Sequence, residues 1–445
     1  MNTNLKRWAR ALCPIAGIFA FLFLFPGAAR AQSQFLTVDC TGATPWAFTS
    51  IQAAVYSATP DTFILVTGPC NEYVSIYNHT NLTLGAYYGS TVTIAGNISI
   101  SNSTNVYLYG LNVTNPYGDG IDVWASKSVT LDTCTSSNNR GSGVSVAGIS
   151  DVMINTTGTF DRNGGDGLSV FGSSWVYINA WFGPVDISNN SGPGIGASQA
   201  NVLTLGRTTI NNNGFGTGEY GLDLRGGARV QFGAISVWGP NSISGNQAGG
   251  VSLVEAAEIA IWSGGFAPSA PGTVIQANGP VGISAGLGSE VAVYGPVQIT
   301  GHSSAGVDVY SNSQASFFGP NLLQGNGSAG DQRSAAIRLD GNSQALLRGG
   351  AVSNNNGPGL LALVNSSADF SNVNFSGNAG VITCDSTSAM VSDLAQPAST
   401  PATGVACKTP HALGNRQISN TPPQMPDISA PKAAHDRYAQ LAVKH

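Results

Sequence analysis

Charge is scarce in this chain. Asp, Glu, Lys and Arg make up 9% of its 445 residues. Helix-length amphipathic segments are missing, which leaves an all-β architecture. The apolar run at residues 15–25 is too short to span a bilayer. Cysteine is sparse, six in all, and no Asp-Asp pair occurs anywhere. What is abundant is Ser, Thr, Asn and Gly, the composition of a polar and nearly uncharged surface.

The chain begins as a secretory signal does. Lys6, Arg7 and Arg10 give a basic start, residues 15–25 an apolar stretch, and Ala29-Arg30-Ala31 an A-x-A cleavage site before Gln32. An uncleaved membrane anchor is the alternative. Removal of residues 1–31 takes four basic and no acidic residues, leaving 14 basic against 23 acidic and a net charge of −9. That balance argues against nucleic acid or an anionic membrane as partner. The expected location is secreted, extracellular or periplasmic, with no membrane span once the signal is gone.

From residue 73 to residue 383 the chain repeats one unit of twenty-odd residues. An Asn is followed four residues later by a small residue, and then by aliphatic-x-aliphatic. The origins are Tyr73, Asn97, Gly120, Gly143, Gly167, Gly194, Gly221, Gly250, Gly282, Gly306, Ala336, Gly359 and Gly380. Each is followed by an aliphatic residue. Nine residues after each origin a second apolar alternation begins, at Leu82, Val106, Val129, Val152, Val176, Leu203, Val230, Ile259, Val291, Ala315, Ala345, Ala368 and Ala389. The constant offset implies a corner of fixed length. A third, weaker strand carries Val113, Phe160, Ile187, Ile210, Ile243, Ile275, Ile299, Leu323, Val352 and Val373, three residues before the Asn position.

That position is Asn139, Asn163, Asn190, Asn213, Asn246, Asn278, Asn326 and Asn355, with His302 and Ser376 in two coils. Asn tolerates the left-handed backbone that a sharp corner needs, and stacked amides can bond to one another. Three short strands per unit with fixed corners describe a single-stranded right-handed parallel β-helix of about thirteen coils. At ~4.8 Å per coil it is a rod on the order of 60 Å long. Residues 48–55 (FTSIQAAV) read as a short capping helix with Thr49 or Ser50 as N-cap. The organisation is thus a signal (1–31), an N-terminal cap and entry to the first coil (32–72), the β-helix (73–394) and a Pro/Ala-rich linker and tail (395–445). Cys40 with Cys70, and Cys384 with Cys407, read as disulfide staples at the two ends. Cys134 is left over as a buried free thiol.

FTSIQAAV, then GPCNEYVSI at residues 68–76, and units such as NRGSGVSV, NGGDGLSV and NQAGGVSL resemble the pectin-lyase-like superfamily of right-handed β-helix proteins. The resemblance covers residues 38–392. It implies the fold but no single activity, because that superfamily hosts lyases, hydrolases, esterases, epimerases, adhesins and binding rods. Polygalacturonases carry N-T-D, D-D, G-H-G and R-I-K. Here residues 115–123 (NPYGDGIDV) resemble the first only loosely, and Gly301-His302-Ser303 is a partial third motif seven coils beyond Asp122. The D-F-I-F-G of pectin methylesterases and the W-I-D-H and R-x-P-x-x-R of pectate lyases have no match. No cofactor is expected; calcium sites need several clustered carboxylates, and none lie close in sequence.

Three constellations remain. Asp119 and Asp166 each precede an origin by one residue, two coils apart on the order of 10 Å, with Asp122 facing outward between them and Arg140 and Arg162 nearby. They are the candidate catalytic residues for acid/base work on a polysaccharide. Trp262, Tyr294 and Phe318 fall twelve residues after successive origins and form a stripe of rings; Tyr107, Tyr109 and Tyr177 form a sparser group. These are candidate glycan-binding residues. Insertions at residues 214–220 and 327–335, carrying Glu219, Asp331 and Arg333, flank Asp223, Asp308 and Arg338. The leading expectation is a non-catalytic rod that binds polysaccharide or a cell-surface glycan. A polysaccharide-active enzyme (lyase, hydrolase or epimerase) is the second, and an adhesin or assembly subunit the third.

Overall fold

The computed structural model describes residues 33–87, 90–155, 157–234, 240–263 and 272–392. The expected signal, the tail after residue 392 and Cys407 lie outside them. Thirteen parallel strands, one per coil, make a first sheet that runs from Val74–Tyr77 to Gly380–Cys384. A second sheet of 25 strands wraps the remaining sides. It is two ribbons, joined where Trp175–Ser188 and Asn201–Asn211 run round a corner. Every pairing is parallel, with the neighbour one coil away, so the chain is a right-handed parallel β-helix. The inward aliphatic side chains form one continuous core along its axis. Burying each contributes roughly 1.5–3 kcal/mol.

The register follows the origins with two departures. Val176 pairs with Val202, and Val202 with Val230. The corner before Val202 is one residue short, turned by the single left-handed residue Gln199. Leu203, expected inward, therefore faces out. In the last coil Leu360 pairs with Ile382 and Ala368 with Met390, so the origin is Val381, not Gly380. Likewise Phe375, not Val373, continues the third strand from Val352.

The Asn column is a bonded ladder. Each Asn Nδ2 donates to the Oδ1 of the next, from Asn139 through Asn163, Asn190, Asn213 and Asn246 to Asn278, at 2.8–3.0 Å. After His302 it resumes from Asn326 to Asn355 and ends on Asn378, not on Ser376. The left-handed residue of this corner is not the ladder Asn but its predecessor, as at Asn138, Arg162, Asn189 and Asn354. A second ladder, of Ser hydroxyls, lines the opposite corner: Ser103, Ser126, Ser150 and Ser174 each accept from the backbone N–H one coil earlier.

The N-terminal end is closed by helix α1 (Ile51–Ser57), which buries Ile51, Ala54 and Val55. Ser50 is its N-cap, accepting from the Ala53 N–H. The Glu72 carboxylate accepts from Ser50 Oγ and from the amides of Ile51 and Gln52. Cys40 and Cys70 form the expected disulfide, and Cys384 is disulfide-bonded as well. Among the described residues no helix is long and apolar enough to cross a membrane.

Candidate functional site

The first sheet presents its outward side chains as columns, because side chains alternate along each strand. Two residues after the origins the column reads Ser99, Asp122, Ser145, Ser169, Gly196, Asp223, Ser252, Ser284, Asp308, Arg338. Small hydroxyls and one glycine keep the surface low between the acids. Two residues further out on the same strands stand Trp124 and Phe171, both well exposed. Their rings flank Asp122 and Ser169. The sequence pattern does not single them out, because the aromatic column that recurs on successive coils lies on the other sheet.

Asp119, Asp122 and Asp166 do meet on this face. The Asp122 carboxylate accepts from Asn97 Nδ2 at 2.8 Å, and Asp119 Oδ1 accepts from the Ser142 N–H at 2.5 Å. Burial pushes Asp122 up to about 6; the Asn97 bond opposes this, and the adjacent Asp119 carboxyl adds to it. Burial also pushes Asp166 up to about 6, opposed by a bond from Ser169 and reinforced by the charges of Asp223, Glu219 and Asp119. Gly141 and Gly196 make the room: a Cβ on either would collide with the carboxylates of Asp119 and Asp166 respectively. Around Asp166 lies a cleft of about 340 Å³ whose wall includes Ser169, Phe171, Gly196, Glu219, Asp223 and Arg225.

The insertion at 214–220 therefore reaches the first site rather than making a separate one. It delivers Glu219 to the cleft wall. Asp223 is neutralised by Arg225, with Nε 2.8 Å and Nη2 2.7 Å from Oδ2. Further along the same face Arg338 clasps Asp308 through two nitrogens, while its Nη1 donates to the Arg333 carbonyl at 3.3 Å. Asp331 turns its own loop by accepting from the Arg333 N–H. Arg162 pairs with Asp161 at 2.7 Å, beside the Asn ladder.

The ring stripe is in register: Trp262 pairs with Tyr294 and Tyr294 with Phe318. Tyr294 and Phe318 stack at 5.2 Å with 9° between planes. Trp262, however, is only 6% exposed and packs with Leu203 and Leu205 in a small apolar cluster outside the main core. Its indole face is closed to a ligand, because Leu203 and Leu205, turned outward by the short corner, pack against it. Tyr177 packs against the same cluster, and Tyr107 donates its hydroxyl to the Asp132 carboxylate. All five rings belong to the second sheet, away from the carboxylates. Among the described residues, the one grouping of metal-ligand type with close spacing is Cys40, Cys70 and Glu72. Its two thiols are bonded to each other.

No protein-family model matches the chain, and no curated protein does. Solved structures do. The A-module of the mannuronan C-5 epimerase AlgE4 of Azotobacter vinelandii is 15% identical over 75% of this chain and 92% of its own, with a TM-score of 0.47. Pectate lyase Pel9A is 15% identical over 60% and 77%, TM-score 0.43. The catalytic unit of a GH87 alpha-1,3-glucanase from Streptomyces thermodiastaticus is 13% identical over 84% and 68%, TM-score 0.33. The likeness is one of stacked coils and assigns no residue and no reaction here. By its own strand register, the chain is a right-handed parallel β-helix.

Proposed function

We propose that the chain is a secreted β-helix that holds an extended polysaccharide along the outer face of the first sheet, and that Asp119, Asp122 and Asp166 move protons on it. One observation carries this reading. Asp122 and Asp166 are both raised to about 6 by burial, on an open face between exposed Trp124 and Phe171. A buried carboxyl with no cation clasping it disfavours the folded state, and such groups concentrate at sites of chemistry. Near pH 6 one acid can be protonated while another is ionised, which is what a donor and an acceptor of protons require. The rings offer sugar C–H faces a platform. The low Ser and Gly column leaves room for a chain to lie flat.

The test is turnover of a panel of neutral and uronate polysaccharides, read as new reducing ends and as absorbance at 235 nm. Asp122→Asn and Asp166→Asn serve as separate controls, with circular dichroism to confirm folding. Activity lost in both variants supports the assignment. Activity retained in both removes it.

A second reading is a rod that binds glycan without turnover. The bonds that tie Asp119 to Ser142 and Asp122 to Asn97 favour it, because they engage the carboxylates with the scaffold itself. Retention of a polymer on the immobilised protein without product formation would select this reading.

A further inference from the structure

Round the Ser-ladder corner from the carboxylates, at the start of the second sheet, lies another concavity of about 560 Å³. Asn105, Ser128, Asp151 and Trp175 occupy the same outward step on four successive coils, and Met153 and Tyr177 the next step out. The register makes this a row: Asp151 stands opposite Trp175, and Met153 opposite Tyr177. Trp175 is 45% exposed, so its indole is an open wall of the cleft. Asp151 is paired with Lys127 at 3.2 Å, and both side chains remain about half exposed.

We propose that this cleft is a second glycan-binding site, one that takes a neutral, hydroxyl-rich polysaccharide segment and performs no chemistry on it. The lining has the two components a pyranose requires. The Trp175 and Tyr177 rings, with Met153, supply an apolar wall for axial C–H groups. The Asp151 carboxylate, the Ser128 hydroxyl and the Asn105 amide supply partners for equatorial hydroxyls. Successive coils set these groups ~4.8 Å apart, a spacing close to the length of one hexose. Charge decides the class of sugar. The cleft's one carboxylate, Asp151, already engages Lys127, so a uronate finds no unpaired cation there to offset the loss of its hydration. A neutral sugar meets no such penalty. A protein partner is less well served, since Asn105, Ser128 and Asp151 form one polar side of the cleft and leave no single apolar patch. The site shares no residue with the carboxylate face and stands whether or not that face turns over a substrate.

Affinity electrophoresis of the full chain in gels containing mixed-linkage β-glucan, galactomannan, dextran, polygalacturonate or alginate tests it. The expected result is retardation by at least one neutral polymer. Trp175→Ala should weaken that retardation tenfold or more, and Trp175→Phe should keep part of it. Tryptophan fluorescence should change on binding in the parent and not in Trp175→Phe. Binding of the anionic polymers alone, binding of no polymer, or full retention by a folded Trp175→Ala would each overturn the proposal. Loss in Asp122→Asn with retention in Trp175→Ala would transfer the binding to the first sheet.

Discussion

The imidazole of His302 lies against the main chain of the preceding coil, its Nδ1 3.3 Å from the carbonyl oxygen of Asn278. Nε2 faces a second carbonyl, of Ile275, at 3.2 Å. A neutral imidazole has one N–H, so one of these carbonyls faces a nitrogen lone pair. Burial nevertheless holds the ring below its ordinary pKa, against the pull of the two carbonyls. The folded state thus favours the neutral form. Its contribution is present above about 6.5 and is lost as pH falls below that value. His302→Asn should restore an amide that donates to Ile275 and Asn326, raise stability by about 1 kcal/mol, and flatten that acid-side loss. Denaturant titrations of both proteins between pH 5 and pH 8 check it.

Asn213 makes the opposite point. Its Nδ2 donates to the Ile187 carbonyl and to Asn246 Oδ1, and its Oδ1 accepts from the N–H and the Nδ2 of Asn190. Asn213→Ala leaves buried donors and an acceptor without partners. It should cost about 2–4 kcal/mol, read as a lower midpoint in urea.

The carboxylates titrate in the reverse sense to His302. Asp122 and Asp166 are raised in the folded state, so the stability they contribute is complete below about 4 and is lost as pH rises through about 6. Asp166→Asn should therefore raise the melting temperature at pH 7 more than at pH 4. If the proton-transfer role holds, each Asn variant should also lose about a hundredfold or more in turnover.

Glu72→Gln probes the N-terminal cap. Gln keeps one acceptor oxygen and loses the other, so one of the three bonds to Ser50, Ile51 and Gln52 goes. A loss of about 1–2 kcal/mol is expected. Hydrogen exchange should show it first in residues 51–57, before the coils loosen.

Cys134 is buried, and burial pushes its thiol up to about 12. The native protein should leave it unlabelled by thiol reagents at pH 8, and denaturant should expose it to stoichiometric labelling. Peptide mapping by mass spectrometry reads the site.

The coil was legible because period-two alternation and a fixed corner are written directly in residue spacing. Its failures have local causes. The four-residue step from Asn to origin pointed to Ser376. Asn378 takes that place because its amide both accepts from Asn355 and donates to the Val352 carbonyl, which a Ser hydroxyl cannot do at that reach. Leu203 was misplaced because nothing in its own segment announces a corner one residue shorter. The carboxylates were legible as neighbours, since coil number converts to height. The contribution of Glu219 was not, because the path of an insertion is not periodic. Trp124 and Phe171 share an offset of four from their origins, but Ala147 stands between them on the intervening coil, and Trp175 follows polar Asp151, so their exposure in the folded chain is what marks them.

Asp119 and Asp166 are separated by two coils, and that interval belongs to the backbone rather than to any side chain. The scaffold is in effect a ruler graduated in strand spacings. Excising one whole coil, residues 143–166 with Asp re-placed at 142, would keep every rung below and above. It would move the acids one graduation closer together. The gauge of this scaffold can be reset in whole steps without redesigning a loop.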